Sequence, residues 1–543
     1  MNNPITRRNF VGQVAALGAA AGGLALPGSL SAEPNPDPAR VLKRGRGWLV
    51  LPNGVDDQAN LEWALRNTEA GGTVKLDPGI YKFGRTVIVP DFDGKLVGAG
   101  ADKTTITCSD AFSYEVWEAP GGGKDLGEPK PPGYPRIPLE GSSTRTWPAL
   151  IFFYKTPLRA GEDSADRANR IEVRDIRCRG SMLGEPWMFG DESVCITIIN
   201  SMDWHDPERA PETTRQDVLF SGIEVDGYTS SEFGPFENSC ACVTVLGGLI
   251  LTDNYNLEGS VDGDAMGPVN GGLLGVTPAE GDVTFSNCTF RNCRLGPGIV
   301  GHRDSALVWE NIITDGCRGN CLQVFDNSNC RMEVRDSDLF CDSFILPPEW
   351  AVGGATDVPS SLGCVVAIQG IAAAFGVAQN LQWLSLARDE AAHVAHPEAG
   401  PLGTWRPMGP ALAPDPSTLK IRDVACRSSL TPNTYCLHVV DAVNLAFGMS
   451  TLDASIKGNA CEDSQTCISL EHVDLAEVRN NECSSQAFGV ELHNAPNAAV
   501  SNNRFDFPPG DPGCEIRVLS LGEKIDLSRV VPGAGACLVQ QQT

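Results

Sequence analysis

Three hexapeptides near the C-terminus recur at a spacing of 22 residues: Ile456-Lys457-Gly458-Asn459-Ala460-Cys461, Val478-Arg479-Asn480-Asn481-Glu482-Cys483 and Val500-Ser501-Asn502-Asn503-Arg504-Phe505. A period this short constrains the fold more than composition does, because one unit is too small to bury its own apolar face and must stack on the next. The same pattern, an apolar residue, small polar residues, then Cys or another apolar residue, recurs at 173–178, 220–225, 285–290, 334–339 and 421–426. Short alternating stretches with Asn, Asp or Gly at the bends predict strands, and a period in the low twenties predicts one turn of a β-solenoid. The 543 residues, otherwise enough for several domains, then fit one continuous core.

A second stretch follows the first in most units, at 195–200, 242–247, 298–303, 321–326, 364–369, 436–441, 467–472 and 489–494. Its second and fourth positions are almost always apolar, whereas the third and sixth are mostly polar. Strand side chains alternate, so positions two and four line the core, three and five face out, and six lies at the bend. Cys occupies position one in six of these stretches, while Cys178, Cys426, Cys461 and Cys483 close the stretches before them. Stacked coils place equivalent residues about 4.8 Å apart. The 19 cysteines therefore read as small buried thiols filling two corners of the core, with a disulfide framework as the alternative. Zinc has less support, because Cys317 to Cys321 and Cys461 to Cys467 lack a second matched pair.

Asp56 and Asp57 precede Gln58 to Arg66, in which Leu61, Ala64 and Leu65 share one face. This predicts a short amphipathic helix with an Asp N-cap, covering the open edge of the first coil. The segment from Gly71-Gly72-Thr73-Val74-Lys75-Leu76-Asp77-Pro78-Gly79-Ile80-Tyr81 through Leu96-Val97-Gly98-Ala99-Gly100 to Thr105-Ile106 resembles the opening of the pectate-lyase-like β-helix superfamily. That resemblance implies an all-β fold, a single-stranded right-handed parallel β-helix with an N-terminal capping helix and two long loop insertions. It is specific for fold and not for activity, since the superfamily includes polysaccharide lyases, glycoside hydrolases, epimerases and non-catalytic surface proteins.

The expected organisation is a signal at 1–32, a linker at 33–50, cap and first coils at 51–112, an insertion at 113–168 and central coils at 169–370. A second insertion at 371–418, with a helix near Gln379 to Ala395, C-terminal coils at 419–510 and a tail or cap at 511–543 complete it. The insertions wall a groove or are excursions with no such role. Thr6-Arg7-Arg8-Asn9-Phe10-Val11 and the Ala/Gly-rich run to Leu26 read as a twin-arginine signal, cleaved near Ala32. The run is too short and too weakly apolar for a membrane anchor. The implied partner is the twin-arginine export machinery, which carries folded cargo, and the destination is the periplasm or the exterior. A net charge of −26 argues against nucleic acid, and it repels polyanionic glycans unless a basic patch or bound Ca²⁺ intervenes.

Four of the seven histidines, His302, His438, His472 and His493, fall on the outward or bend positions of the second stretch. His302, Arg303 and Asp304 lie one coil before Phe325 and Asp326. A lyase needs a base and a cation to neutralise a uronate carboxylate, roles open to His302 or Arg303 with a Ca²⁺ held by Asp304 and Asp326. A hydrolase needs two carboxyls about 5 Å or 6.5–9.5 Å apart, which Asp304 and Asp326 would supply. The alternative is a solvated polar ladder. Phe325, Glu471, His472 and His493 are the expected substrate-binding residues. The last three belong to a second cluster with Asp441, Glu491 and Asn494, in which Glu471 stacks on His493 and His472 on Asn494; it offers little positive charge and ranks second.

No catalytic motif of the superfamily transfers residue by residue. The Arg-x-Pro-x-x-Arg context of calcium-dependent lyases and the Asp-Pro-His-Glu element of epimerases are missing, and Thr314-Asp315-Gly316 and Gly301-His302-Arg303 match the hydrolase elements in neither order nor neighbours. The expected function is an extracytoplasmic carbohydrate-active protein that cleaves a polysaccharide as a lyase or glycoside hydrolase. The alternative is a non-catalytic envelope or surface β-helix that binds glycan or a protein partner. An exported oxidoreductase is a third reading, without a dinucleotide fingerprint to support it.

Overall fold

The computed structural model describes residues 36–85, 87–113, 115–117, 145–147, 149–155, 167–179, 194–203, 214–226, 241–251, 273–277, 279–291, 293, 296–317, 320–325, 327–341, 363–369, 415–428, 435–441, 443–444, 449–508, 513–520, 527–530 and 538–542. The signal segment, Asp326 and the helix expected near 379–395 lie outside these residues.

Each coil contributes a leading strand and a closing strand, and each pairs in parallel with its counterpart one coil later. Leading strands run from Gly94–Val97 through Asn169–Arg174, Gln216–Ser221, Val283–Arg291, Ala306–Cys317, Arg331–Cys341, Ser417–Ser428 and Leu452–Lys457 to Leu475–Arg479 and Ala499–Ser501. Closing strands stack from Val87–Pro90 and Ala149–Tyr154 through Leu322–Phe325, Val365–Gln369 and Tyr435–Asp441 to Cys514–Ser520 and Leu538–Gln542. The 22-residue repeat is this register: Ile456 pairs with Val478 and Val478 with Val500, as Cys461 pairs with Cys483 and Cys483 with Phe505. The chain is a parallel β-helix.

Backbone conformation explains the bend residues. Asp175, Asn287, Asn311, Asp336, Asp423, Asn480 and Asn502 break the leading strands with φ between +51° and +57°, and Gly222 and Gly458 do so at +64° and +68°. Only Gly, and less readily Asn and Asp, takes the left-handed region at low cost. The residue after the last of these bends forms a ladder. Asn481 Oδ1 accepts from the backbone and side-chain nitrogens of Asn459, both at 3.0 Å, and Asn503 Oδ1 accepts from those of Asn481, both at 2.9 Å. Each side-chain amide also donates to a carbonyl of the preceding coil, at 3.1 Å. The ladder satisfies backbone groups that the bend removes from strand pairing.

Positions two and four of the closing strands enter one continuous apolar core, as the alternation predicts: Ile196 and Ile198, Leu322 and Val324, Leu437 and Val439, Ile468 and Leu470. The 15 cysteines whose side chains the structure describes are all buried, with no disulfide among them. The opposite face departs from the expectation. Phe325, Ile368 and Val440, at position five, are buried outside that core, as is Val300, which the register pairs with Phe325, and so are Val366 and His438 at position three. The outer face of the central coils is therefore covered.

The helix Gln58–Arg66 buries Leu61, Ala64 and Leu65 and packs on the strands Val87–Pro90, Gly47–Val50 and Gly79–Arg85. Its N-cap, Asp57, makes no side-chain capping bond; the Asp57 carboxylate accepts instead from the amides of Asn53 and Lys82, and Asp56 accepts from Gln58 N at 3.0 Å. Three boundaries also shift. Residues 41–50, expected as linker, form an antiparallel hairpin whose second strand joins the stack. The closing strand Ala149–Tyr154 lies inside the expected first insertion, and the coils continue beyond 510 to Gln542. Among the described residues no helix is long and apolar enough to cross a membrane.

Candidate functional site

The structure separates the residues of the first expected cluster. His302 is only 2% exposed; its amide donates to Asn327 Oδ1 and its carbonyl accepts from the Cys330 thiol. Burial pulls the imidazole pKa down to about 4, against a backbone hydrogen bond at Val300, and Nδ1 has no hydrogen-bond partner among the described residues. A ring so enclosed is a neutral element of the corner and not a base open to substrate. Arg303 is half exposed and pairs with Glu280 at 3.4 Å. Asp304 is a left-handed bend residue that accepts from Asn329 Nδ2 at 2.6 Å. Phe325 is buried between Val300 and Ile368 of adjacent coils, which leaves no aromatic face for a sugar. Among the described residues no three His, Cys, Asp or Glu side chains converge as metal donors, and Asp326 of the expected calcium pair lies outside those residues.

The last coils assemble a tighter group. On the closing strands, Ser469 pairs with Glu491 and Glu491 with Arg517, while Glu471 pairs with His493. The side chain of Glu491, 7% exposed, is held by His493 Nε2 at 2.8 Å and by the Arg517 guanidinium at 3.2 Å, both on Oε1, and Thr466 Oγ1 donates to Oε2 at 3.4 Å. Arg517 also lies 4.6 Å over the ring of Phe488. His493 and Arg517 keep about a quarter of their side-chain surface in solvent. If Nε2–H is donated to Glu491, the neutral ring leaves Nδ1 as its acceptor, the arrangement that orients a general base.

Two members of the expected second cluster serve the backbone. His472 is a left-handed bend residue whose amide donates to the carbonyl of His493 at 2.8 Å. Asp441 is fully buried and accepts from Thr451 N, Thr451 Oγ1 and Asn444 N; burial raises its pKa against those hydrogen bonds. Arg517, Phe488 and Thr466 were missed from sequence. The alternation of Ile516 and Val518 marks the strand that carries Arg517, but the spacing from Glu491 to its partner lengthens to 26 and breaks the repeat.

No protein-family profile matches this sequence, and no curated protein is significantly similar to it. Solved structures resemble it only distantly. A protein of Geobacillus virus E2 is 10% identical with a TM-score of 0.33, covering 84% of this chain, which spans 59% of that one. A surface adhesin of Streptococcus pneumoniae is 12% identical with a TM-score of 0.42, over 87% and 90% of the two chains. The A-module of a mannuronan C-5 epimerase from Azotobacter vinelandii is 13% identical with a TM-score of 0.31, over 84% and 97%. At this distance the likeness carries nothing about activity, and the fold rests on the strand register.

Proposed function

We propose that this chain is an extracytoplasmic carbohydrate-active protein of the pectate-lyase-like kind, which cleaves a polysaccharide at the closing-strand face of its last coils. The observation that supports this reading is Glu491 held between His493 and Arg517, with Glu471 one coil away. His493, oriented through Nε2, is the base; Arg517 is the cation that neutralises a uronate carboxylate; Phe488 and Glu471 bind the sugar. In an elimination, His493 Nδ1 takes the proton next to the uronate carboxylate, the electron pair forms the C=C bond, and the glycosidic oxygen leaves, protonated by solvent. Hydrolysis would need one carboxyl as proton donor. Glu491 is occupied as an acceptor by His493, Arg517 and Thr466, which favours elimination.

The test is to incubate the purified chain, with and without Ca²⁺, with acidic and neutral polysaccharides, following reducing ends and the ultraviolet absorbance of unsaturated uronate. Both signals rising on an acidic glycan is the expected result, with His493→Gln lowering the rate about 100-fold or more. Reducing ends alone would move the assignment to a hydrolase. Binding without either signal would replace the enzyme with a non-catalytic glycan-binding scaffold.

A further inference from the structure

The most extended feature outside the candidate site is a buried array of thiols. Cys321 lies beside Cys317, Cys341 and Cys364, and Cys364 beside Cys426 and Cys436, while the Cys364, Cys436 and Cys467 thiols donate to backbone carbonyls of the corner. Cys461 contacts Cys426, Cys436, Cys467 and Cys483. These nine cysteines form one zigzag along the corner between leading and closing strands, and none is more than 2% exposed. Register makes it continuous, since Cys317 pairs with Cys341, Cys426 with Cys461 and Cys461 with Cys483 on neighbouring coils.

Such an array has opposite properties in the folded and unfolded chain. In the unfolded chain every thiol is accessible and has many partners, so an oxidant produces a mixture of pairings. In the folded core no attacking thiolate or small-molecule disulfide can enter. Burial raises isolated thiols such as Cys288, to about 12, and Cys330, to about 11, whereas inside the array mutual contacts push Cys317, Cys364, Cys461 and Cys467 up and Cys321, Cys426, Cys436 and Cys483 down, so the shielding rests on exclusion and not on protonation. A native disulfide would also have to draw two sulfurs to about 2.05 Å with a torsion near 90° inside a packed core.

We propose that the thiol ladder is a redox lock on the order of folding: the coils stack only while all nine thiols are reduced, and once stacked they shield those thiols from oxidant. The step the lock prevents is exchange with a small-molecule disulfide, 2 Cys–SH + R–S–S–R → Cys–S–S–Cys + 2 R–SH, in which two protein thiols are oxidised and the small disulfide is reduced to two thiols. This inference is independent of the proposed enzymatic activity.

The test is cell-free synthesis of the full chain with a thiol reductant or with oxidised glutathione, measuring soluble, protease-resistant product and counting free thiols by the mass shift with maleimide. The expected result is resistant product with every thiol free under reductant, and at least about tenfold less when the disulfide is present during synthesis. Oxidised glutathione added after synthesis should change neither yield nor thiol count. Equal yield in both synthesis arms would overturn the proposal, as would consumption of ladder thiols in a chain that stays resistant. Cys436→Ala combined with Cys467→Ala should restore part of the yield in the disulfide arm, whereas Cys178→Ala, outside the ladder, should not. Rescue by Cys178→Ala instead would show that the ladder is not the cause. The wild-type arms decide the matter even if the double variant fails to fold.

Discussion

The closing-strand face has two halves built on the same register and the same core positions. Along one outward column, Val300, Phe325, Ile368 and Val440 follow one another on successive coils, and all are buried; the next two members are Glu471 and His493, both partly exposed. The neighbouring column changes in the same place, from Val366 and His438 through Ser469 to Glu491 and Arg517. In the central coils the outer face therefore behaves as a second core, and polar groups there serve the backbone at corners. In the last coils it is polar and wet enough for side chains to meet a ligand. The same strand pattern thus yields packing in one half and chemistry in the other, according to what covers it.

The sharpest way to break this comparison is to place one charge in each half of one column. Ile368→Asp puts an unpaired carboxylate on the covered face and should cost about 4 kcal/mol or more, read as a fall in the midpoint of chemical unfolding. If the central face is open, the loss will be under about 1 kcal/mol. His302 gives the next largest effect. Its folded pKa of about 4 lies below the unfolded value near 6.5, so the unfolded chain binds the proton first as the pH falls. Stability present above pH 6.5 should be lost towards pH 4 by up to about 3 kcal/mol, and His302→Leu should remove that part of the acid dependence relative to the parent chain. Equal acid sensitivity in both would show His302 to be accessible.

In the wet half the effects shrink in stability and grow in function. Glu491→Gln keeps the shape but weakens the hold on His493 and Arg517; a cost of about 1–2 kcal/mol is expected, with turnover of an acidic glycan falling at least about tenfold. Turnover equal to that of the parent chain would detach Glu491 from the reaction. Glu471→Ala, in the same column as Ile368, should change stability by no more than about 0.5 kcal/mol while weakening glycan binding.

Much of the fold was legible from local chemistry. The 22-residue period, the left-handed Asn and Asp residues and the apolar second and fourth positions each follow from one strand's own alternation and bends, and they set the register that puts Glu471 on His493. The capping helix was legible for the same reason, although the carboxylate of its N-cap, Asp57, is drawn to the amides of Asn53 and Lys82 and it is Asp56 that accepts from Gln58 N. The end of the cysteine column was visible as Gly489, but its reason was not: a Cβ there would lie 2.1 Å from the Phe505 ring.

The candidate site was less legible because a pattern of period two reports which face a residue takes and not what lies against that face. His302 and His493 are both imidazoles following a closing strand's apolar positions, yet one is enclosed in a corner and the other is partly in solvent against Glu491 and Arg517. Residues a fixed step apart were enough to give the coil, its register and the corners that its cysteines fill. Which stretch of the outer face stays polar and accessible was settled by folding, because burial there depends on chain packed across the coils, at no fixed distance in sequence.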